Sequence, residues 1–560
     1  MKNLKYIIIA LLIAGLGSCD IEREPFQDLA DEIVFSDVLG LEAASLGTYA
    51  ILKQNTFMRP YHFHGEYGGD NIALSGATTD HLYFMYNFQH VPNNYHLNSL
   101  WVDSYRGIIN CNKIIENAER DLSPRMNHII GENYYLRAFF YFTLVNIWGR
   151  PYSQDPHNNL GVPLKTDTDR ENIPPRASVA EVYDLIVDDL LNAAEMMSEY
   201  SRPSGELRIF GSQEAAWALL SRVYLYMEEN EKAIEYASKV INSGIFSLLQ
   251  GEAFTRYPTF VPENNAETIF ACRSLIDEDN YHWFAVGGMY ARIDGVGWGE
   301  MYASQPYRDL VGRYPQDLRN EFIVPQYVSG TDAEGNPLMW IIYIRTTDEA
   351  QGKKMFVTYN VTKNYDTGTW HYEKDDETLE VQTETEGEET LYYIMEDGVK
   401  TYVDLERRML MRNGYPQYFV IKCSNQEDQP QLWSPVISRL AEMYLNRAEA
   451  YAKLGNEGAA IDDVNIIRQR AGIPLYNTEI EIPVGMTVLD VVLEERQLEL
   501  AYEAHRRYDI FRNNLTLDRR YPGTHDRGNA LMLVPPAHPR VVEFIPEPQL
   551  LAQPNLVNNP

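Results

Sequence analysis

Two helical hairpins written in one pattern, the first ending by Gly244 and the second starting at Ser438, constrain this chain more than any other feature. In the first, Ala216, Leu219, Leu220, Val223 and Tyr224 recur at i, i+3, i+4, i+7 and i+8. After a polar turn at Glu228 to Asn230, the same spacing returns at Ala233, Ala237 and Val240. In the second, Leu440, Tyr444, Ala448 and Tyr451 lead to a turn at Gly455-Asn456 and a further helix from Ala459 to Arg470. Residues so spaced share one helical face. Hairpins of this length bury such faces only against a neighbouring hairpin, so the chain must bring the two together.

Alanine beside tyrosine at matched places in antiparallel helices resembles tetratricopeptide repeats, in which a small residue lets helices approach and an aromatic fills the gap opposite. The fold expected is mainly α: repeat-like helical pairs forming a scaffold, with a large loop-rich insertion containing short β-strands at residues 250–432. Upstream, Trp101 to Asp121 carries apolar residues at helical spacing, and Ser123-Pro124 punctuates it. Glu132 to Trp148 is apolar on nearly every face, as a deeply buried helix is. Ser178 with Glu181 makes a capping box for a helix over Val179 to Met197. The insertion differs in kind. It is rich in Tyr, Trp, Gly and Pro, with strand-like runs such as Met355 to Val361 and Leu391 to Met395. Its acidic stretch Glu373 to Glu389 reads as an exposed loop or hairpin tip.

The N-terminus is a secretory signal: Lys2 and Lys5, an apolar run from Tyr6 to Leu16, then Gly17 and Ser18 before Cys19. The run is too short for a membrane span. Leu16 to Cys19 looks like a bacterial lipobox, which makes residues 1–18 the signal peptide and Cys19 the acylated first residue; an ordinary signal ending at a cysteine is the alternative. Cleavage there leaves 542 residues (560 less 18) and a formal charge of −34 (−32 less the two lysines). So acidic a chain is a poor nucleic-acid binder. Cys111, Cys272 and Cys423 are widely spaced with no CxxC, which suits buried free thiols better than a disulfide.

Six segments carry a resemblance to the SusD/RagB family, in that family's order. They are GENYYLRAFFYFTLVNIWGRPY (Gly131–Tyr152), Arg176–Met197, Glu214–Gly244, SRLAEMYLNRAEAYAKLGNEGAAIDDVNIIRQRAG (Ser438–Gly472), EERQLELAYEAHRRYDIFR (Glu494–Arg512) and IPEPQLLAQPNLVNNP (Ile545–Pro560). Ala504 stands where the family usually has glycine, and Asn558 where glutamine is common. The resemblance implies an outer-membrane lipoprotein, exposed at the cell surface and partnered by a SusC-like TonB-dependent transporter to which it hands a glycan. Alternatives are a peptide ligand or a repeat scaffold for protein partners. Asp20, Glu22 and Glu24 after the cysteine resemble the surface-export signal of such lipoproteins. Residues 19–249 and 433–560 then form the N- and C-terminal parts of the scaffold.

No HExxH, GxSxG or nucleophile–base pattern occurs, so no catalytic residue, cofactor or metal is assigned. The charged stretch from Glu494 suggests a carboxylate stripe on one helix: Glu495, Glu499 and Glu503 lie four apart, with His505 and Asp509 following. Because Arg496, Arg506, Arg507 and Arg512 are interleaved, a structural ion-pair network is the better reading than a metal site. His62 and His64 form a pair on a possible strand face and lack a third ligand. The glycine-rich run Gly295 to Gly299 lacks the context of a phosphate loop. Binding has more to offer. Tyrosine accounts for 39 of 560 residues, and aromatic rings suit the C–H faces of sugars. The candidates in polar, glycine-containing segments are Tyr281, Trp283, Tyr290, Trp298 and Tyr302, and a second group of Tyr83, Phe84 and Tyr86 near Asp70 and Asn71.

Overall fold

The computed structural model describes residues 35, 37–76, 81–279, 282–477, 481–523, 525 and 530–559. The signal peptide, Cys19 and Tyr281 lie outside the described residues.

The principal helices are α1 (Val38–Lys53), α2 (Asn55–Tyr67), α3 (Tyr95–Asn117), α4 (Pro124–Trp148), α5 (Val179–Met196), α6 (Gln213–Tyr226), α7 (Asn230–Asn242), α8 (Leu440–Lys453), α9 (Glu457–Ala471), α10 (Val488–Glu499) and α11 (Arg506–Arg512). From α3 each packs on the next through α7, and α7 packs directly on α8. The two hairpins therefore stack as one continuous array. Ala233 and Ala237 of α7 and Ala448 of α8 are fully buried there, which is the close approach that small residues permit. Ser123 does not end α3. It caps α4, accepting from the Met126 amide at 3.2 Å with Pro124 in the first turn, so its punctuation belongs to the following helix. The capping box at Ser178 and Glu181 forms.

The inserted segment leaves and re-enters the array through one antiparallel ladder, Thr268–Ala271 against Val436–Arg439. Within it the strands are long rather than short. β1 (Met339–Asp348), β2 (Lys353–Lys363), β3 (Trp370–Lys374), β4 (Glu377–Glu386), β5 (Glu389–Glu396) and β6 (Val399–Arg407) pair each with the next, and β6 returns to β1, closing an antiparallel barrel. Its core alternates along the strands: Ile341 and Tyr343, Tyr359 and Val361, Tyr372, Leu379 and Val381, Ile394, Val403 and Leu405. That period of two is what a closed sheet requires. The acidic stretch contains two hairpin turns, at Asp375-Asp376 and Gly387-Glu388, but most of it is strand rather than loop: Glu380, Glu384 and Glu386 project from β4, whose intervening Leu379 and Val381 face the barrel core.

Scaffold and inserted segment are joined by charges in the interior. The stripe read as one helix breaks after Glu499, where Tyr502 and Ala504 take left-handed conformations (φ 67° and 65°) and the chain turns into α11. The carboxylates still converge. Glu499 lies 2.5 Å from both Arg439 Nη1 and Arg470 Nη2, with Arg319 3.7 Å away. Glu503 takes Arg439 Nε at 2.7 Å and Lys422 Nζ at 2.5 Å. Glu495 bridges Arg319 and Arg468 at 2.6 and 3.3 Å. Arg319 and Lys422 come from the inserted segment, so these pairs tie it to α10 and to the turn that follows it. A second knot sets Glu449 and Asp509 against Arg496 and Arg512, at 2.5 to 3.3 Å. Burial pushes the Glu499 carboxyl up, but Arg470, Arg439 and Arg319 together pull it well below the usual carboxylate range. Glu503 is likewise raised by burial and overruled by Arg439 and Lys422, ending at about 2. Arg319 stands between Glu495 and Glu499, and Arg439 between Glu499 and Glu503. Arg507 departs from this pattern: it donates to the Val541 carbonyl at 2.9 Å and reaches Glu543 only at 4.0 Å.

Ala504 has a price attached to its position. A left-handed alanine is strained by about 1–2 kcal/mol, and its amide donates to Glu66 Oε1 at 2.7 Å, which fixes the conformation. Glycine at 504 relieves the strain and loses about 0.5–1 kcal/mol to unfolded-state entropy. Ala504→Gly is therefore expected to raise the melting temperature slightly. A lower melting temperature would show that the buried methyl group outweighs the strain.

Candidate ligand-binding site

Trp283 and Trp298 meet. Their ring centroids are 5.1 Å apart at an interplanar angle of 67°, and they are 37% and 42% exposed. Trp283 sits in a 3-10 turn, His282–Phe284, immediately before the short helix Val286–Tyr290. Trp298 lies beyond the reversal Ile293–Val296, whose two residues exchange backbone hydrogen bonds at 2.9 Å. Its own backbone is held on both sides: its amide donates to the Gly288 carbonyl at 2.6 Å, and its carbonyl accepts from Arg412 Nη1 at 2.7 Å. Gly297 is required by this path. It sits at φ 100°, and a Cβ there would run into the Ala291 carbonyl oxygen. The glycine thus lets the chain fold back beneath Trp298, beyond leaving its ring uncovered. Two half-exposed rings set at an angle form a notch in which each ring is a wall for the other.

The other aromatic candidates go elsewhere. Tyr290 is fully buried, its hydroxyl 2.9 Å from His62 Nε2 and its ring against Tyr502. Tyr302 is buried on a strand, Met301–Ala303, that pairs with Ile72–Leu74. Tyr86 is fully buried, with its hydroxyl 2.7 Å from His525 Nδ1. Tyr83 is half-buried against the main core, on a short helix, His81–Tyr86. These rings lie in segments that look polar in sequence, but Tyr290 packs against His62 and Tyr502, Tyr302 against Phe419, and Tyr86 against Tyr67 and His525. Asp70 is engaged by Arg506 at 2.6 and 2.9 Å, and Asn71 is buried, accepting from Gln497 Nε2 at 3.0 Å. Both lock the segment after α2 to α10 and α11. His62 and His64 lie on a helix, not a strand. Both are buried, and burial lowers their pKa: His62 falls to about 3, and His64 well below its usual value. Cys111, Cys272 and Cys423 are free and buried.

Two neighbours of the notch were not among the candidates. Phe284, next to Trp283, is 55% exposed, and Arg292 places its guanidinium carbon 5.9 Å from the centre of the Trp283 ring. Both lie in the same glycine-containing stretch as the tryptophans, which is the one signal that pointed to them.

Comparison with known proteins covers most of the chain. Residues 266–531 match the sequence model of the SusD family, and residues 42–225 match a model described as starch-binding associating with outer membrane. SusD-like protein P2 of Formosa agariphila is 25% identical over 531 residues, covering 92% of this chain and 91% of its own. A SusD superfamily protein from Bacteroides thetaiotaomicron superposes with a TM-score of 0.70 at 22% identity, across 93% of this chain and 99% of that one. A laminarin-binding SusD-like protein superposes with a TM-score of 0.61 at 20% identity, over 93% and 99% of the two chains. With the interrupted array, the charged junction and these matches, the chain belongs to the SusD family.

Proposed function

We propose that this protein is a lipid-anchored glycan-binding protein of the bacterial outer membrane, exposed at the surface, which passes its ligand to a SusC-like TonB-dependent transporter. The observation that carries the glycan reading is the Trp283–Trp298 notch, two half-exposed rings of which Trp298 has its backbone held at both amide and carbonyl. Sugars offer flat C–H faces edged by hydroxyls, and an aromatic face next to polar groups matches them. Family membership and the laminarin-binding relative support the same class of ligand. Binding without turnover is the expected outcome on a polysaccharide panel. Product formation by the purified protein would instead make it an enzyme, and silence on every saccharide would favour a protein-binding scaffold.

Membrane attachment rests on Cys19. Among the described residues no helix is long and apolar enough to cross a membrane. Two or more acyl chains give stable anchoring, since each buried methylene contributes about 0.8 kcal/mol. Cys19→Ala is expected to abolish acylation and to leave the chain soluble or uncleaved. A mature-length variant that still fractionates with the outer membrane would remove the anchor from this reading.

A further inference from the structure

We propose that the tryptophan notch selects an anionic sugar, one bearing a carboxylate or a sulfate ester, and that Arg292 is the residue that selects it. This rests on the reading that the notch holds a glycan, and it adds the class of glycan.

The chain carries 80 acidic and 48 basic residues, so a basic side chain finds an acidic neighbour easily. The buried guanidinium groups of Arg319, Arg439, Arg470, Arg496 and Arg512 all have carboxylates within 4.0 Å. The pattern is not universal, since buried Arg176 and Arg519 bond to backbone carbonyls and have no carboxylate among the described residues within 4.0 Å, and at the notch it fails twice. Arg292 is exposed; its Nε donates to the Gly295 carbonyl at 3.2 Å, and no carboxylate of the described residues lies within 4.0 Å of it. Arg59 is 6% exposed and also has no carboxylate among the described residues within that distance. Its guanidinium lies 5.6 Å from the Phe63 ring centre and 5.7 Å from that of Phe284. One of its nitrogens reaches the Met289 sulfur at 3.3 Å, and its buried Nε has no acceptor among the described residues.

A buried cation whose partners are two rings and a thioether is poorly compensated, and the rings return only part of the cost. Phe284, one of these rings, adjoins Trp283 in the chain and is 55% exposed. Nearby acids do not cancel the Arg59 charge: Lys53 holds Glu278 and Asp279 at 3.5 and 2.8 Å, and Arg412 holds Glu300 at 2.5 Å. Asp294 stands on the same reversal as Arg292 without approaching it to 4.0 Å. The distant acidic surface counts for little, because charges are screened beyond about 8 Å at physiological ionic strength. A guanidinium next to an aromatic face offers a sugar two contacts at once: the ring takes the C–H face, and the planar fork takes a carboxylate or sulfate on the edge.

The test uses the mature chain and a panel of polygalacturonate, alginate, a sulfated galactan, laminarin and dextran, with affinity measured by calorimetry or gel retardation. Charged glycans are expected to bind at least about tenfold more tightly than neutral ones, the scale of one charge-assisted hydrogen bond, and the advantage should shrink as salt is raised. Whether the uronates or the sulfated galactan bind more tightly identifies the anion. Arg292→Ala should bring the charged ligand down to neutral affinity, with Arg292→Lys restoring part of the difference. Equal or better binding of neutral glycans, or a charge preference unchanged in Arg292→Ala, overturns the proposal. If Trp283→Ala weakens every ligand while Arg292→Ala leaves the preference intact, only the anion falls and the glycan site stands. Absence of binding across the panel overturns both.

Discussion

Replacing Glu499 by alanine is expected to cost the fold about 3–5 kcal/mol, the range for removing one partner from a buried ion pair. Glu499 is one of three carboxylates around Arg439, with Glu267 and Glu503. It is also a close partner of Arg470, at 2.5 Å against 3.2 Å for Glu267. Its removal leaves the group with excess positive charge where side chains are almost wholly enclosed. Glu499→Gln keeps the volume and one acceptor and should fall between wild type and alanine. The charge origin of the effect predicts its pH dependence. The native carboxyl titrates below its ordinary value of 4.5, so the stability it confers is complete above that value and declines as pH falls below it. The gap in melting temperature between wild type and Glu499→Ala should therefore be constant near neutrality and narrow in acid. Glycan affinity of the folded variant should stay near normal, since the tryptophan notch does not draw on this group. Unchanged melting with lost binding would return the stripe to the metal-site reading.

The scaffold was legible because helical spacing is a local signal. Ala216, Leu219, Val223 and Ala233 mark their faces without reference to anything distant, and the capping box at Ser178 and Glu181 fixes a helix start within four residues. The barrel was legible only as separate strands. Its closure depends on β6 returning to β1, a pairing between Arg407 and Met339 that no local pattern encodes. The acidic residues of β4 hid its period of two, since solvent-facing Glu380 and Glu384 suggest a loop until Leu379 and Val381 are seen to point inward. The site was partly legible for a related reason. Tyr290, Tyr302 and Tyr86 sit in polar, glycine-containing segments, yet burial is settled by what folds over a segment. A tyrosine with a partner such as His62 or His525 is a satisfied core residue. Arg59 was invisible for the opposite reason: nothing in sequence shows that a particular arginine lacks an acid.

Trp283→Ala and Trp298→Ala should each weaken glycan binding by about 1–3 kcal/mol, the range for bases stacked on aromatic side chains, or roughly ten- to a hundredfold in affinity. The structure bears on what else should change. A fully enclosed tryptophan cut to alanine costs about 3–5 kcal/mol of stability. These rings are 37% and 42% exposed, and each covers part of the other at 5.1 Å, so the loss should be well below that range. The Trp298 backbone is fixed by Gly288 and Arg412 through main-chain atoms, so the loop keeps its path when the ring is gone. The two substitutions should also be non-additive. Removing Trp283 takes away the wall against which Trp298 stands, so the double variant should lose less affinity than the sum of the singles. Calorimetry and thermal melts on the two single variants and the double variant decide the matter. Large melting losses with intact affinity would make the pair a cap on the core below it and move the ligand elsewhere on the family's scaffold. Strict additivity would mean that the rings contact the ligand independently rather than as one notch.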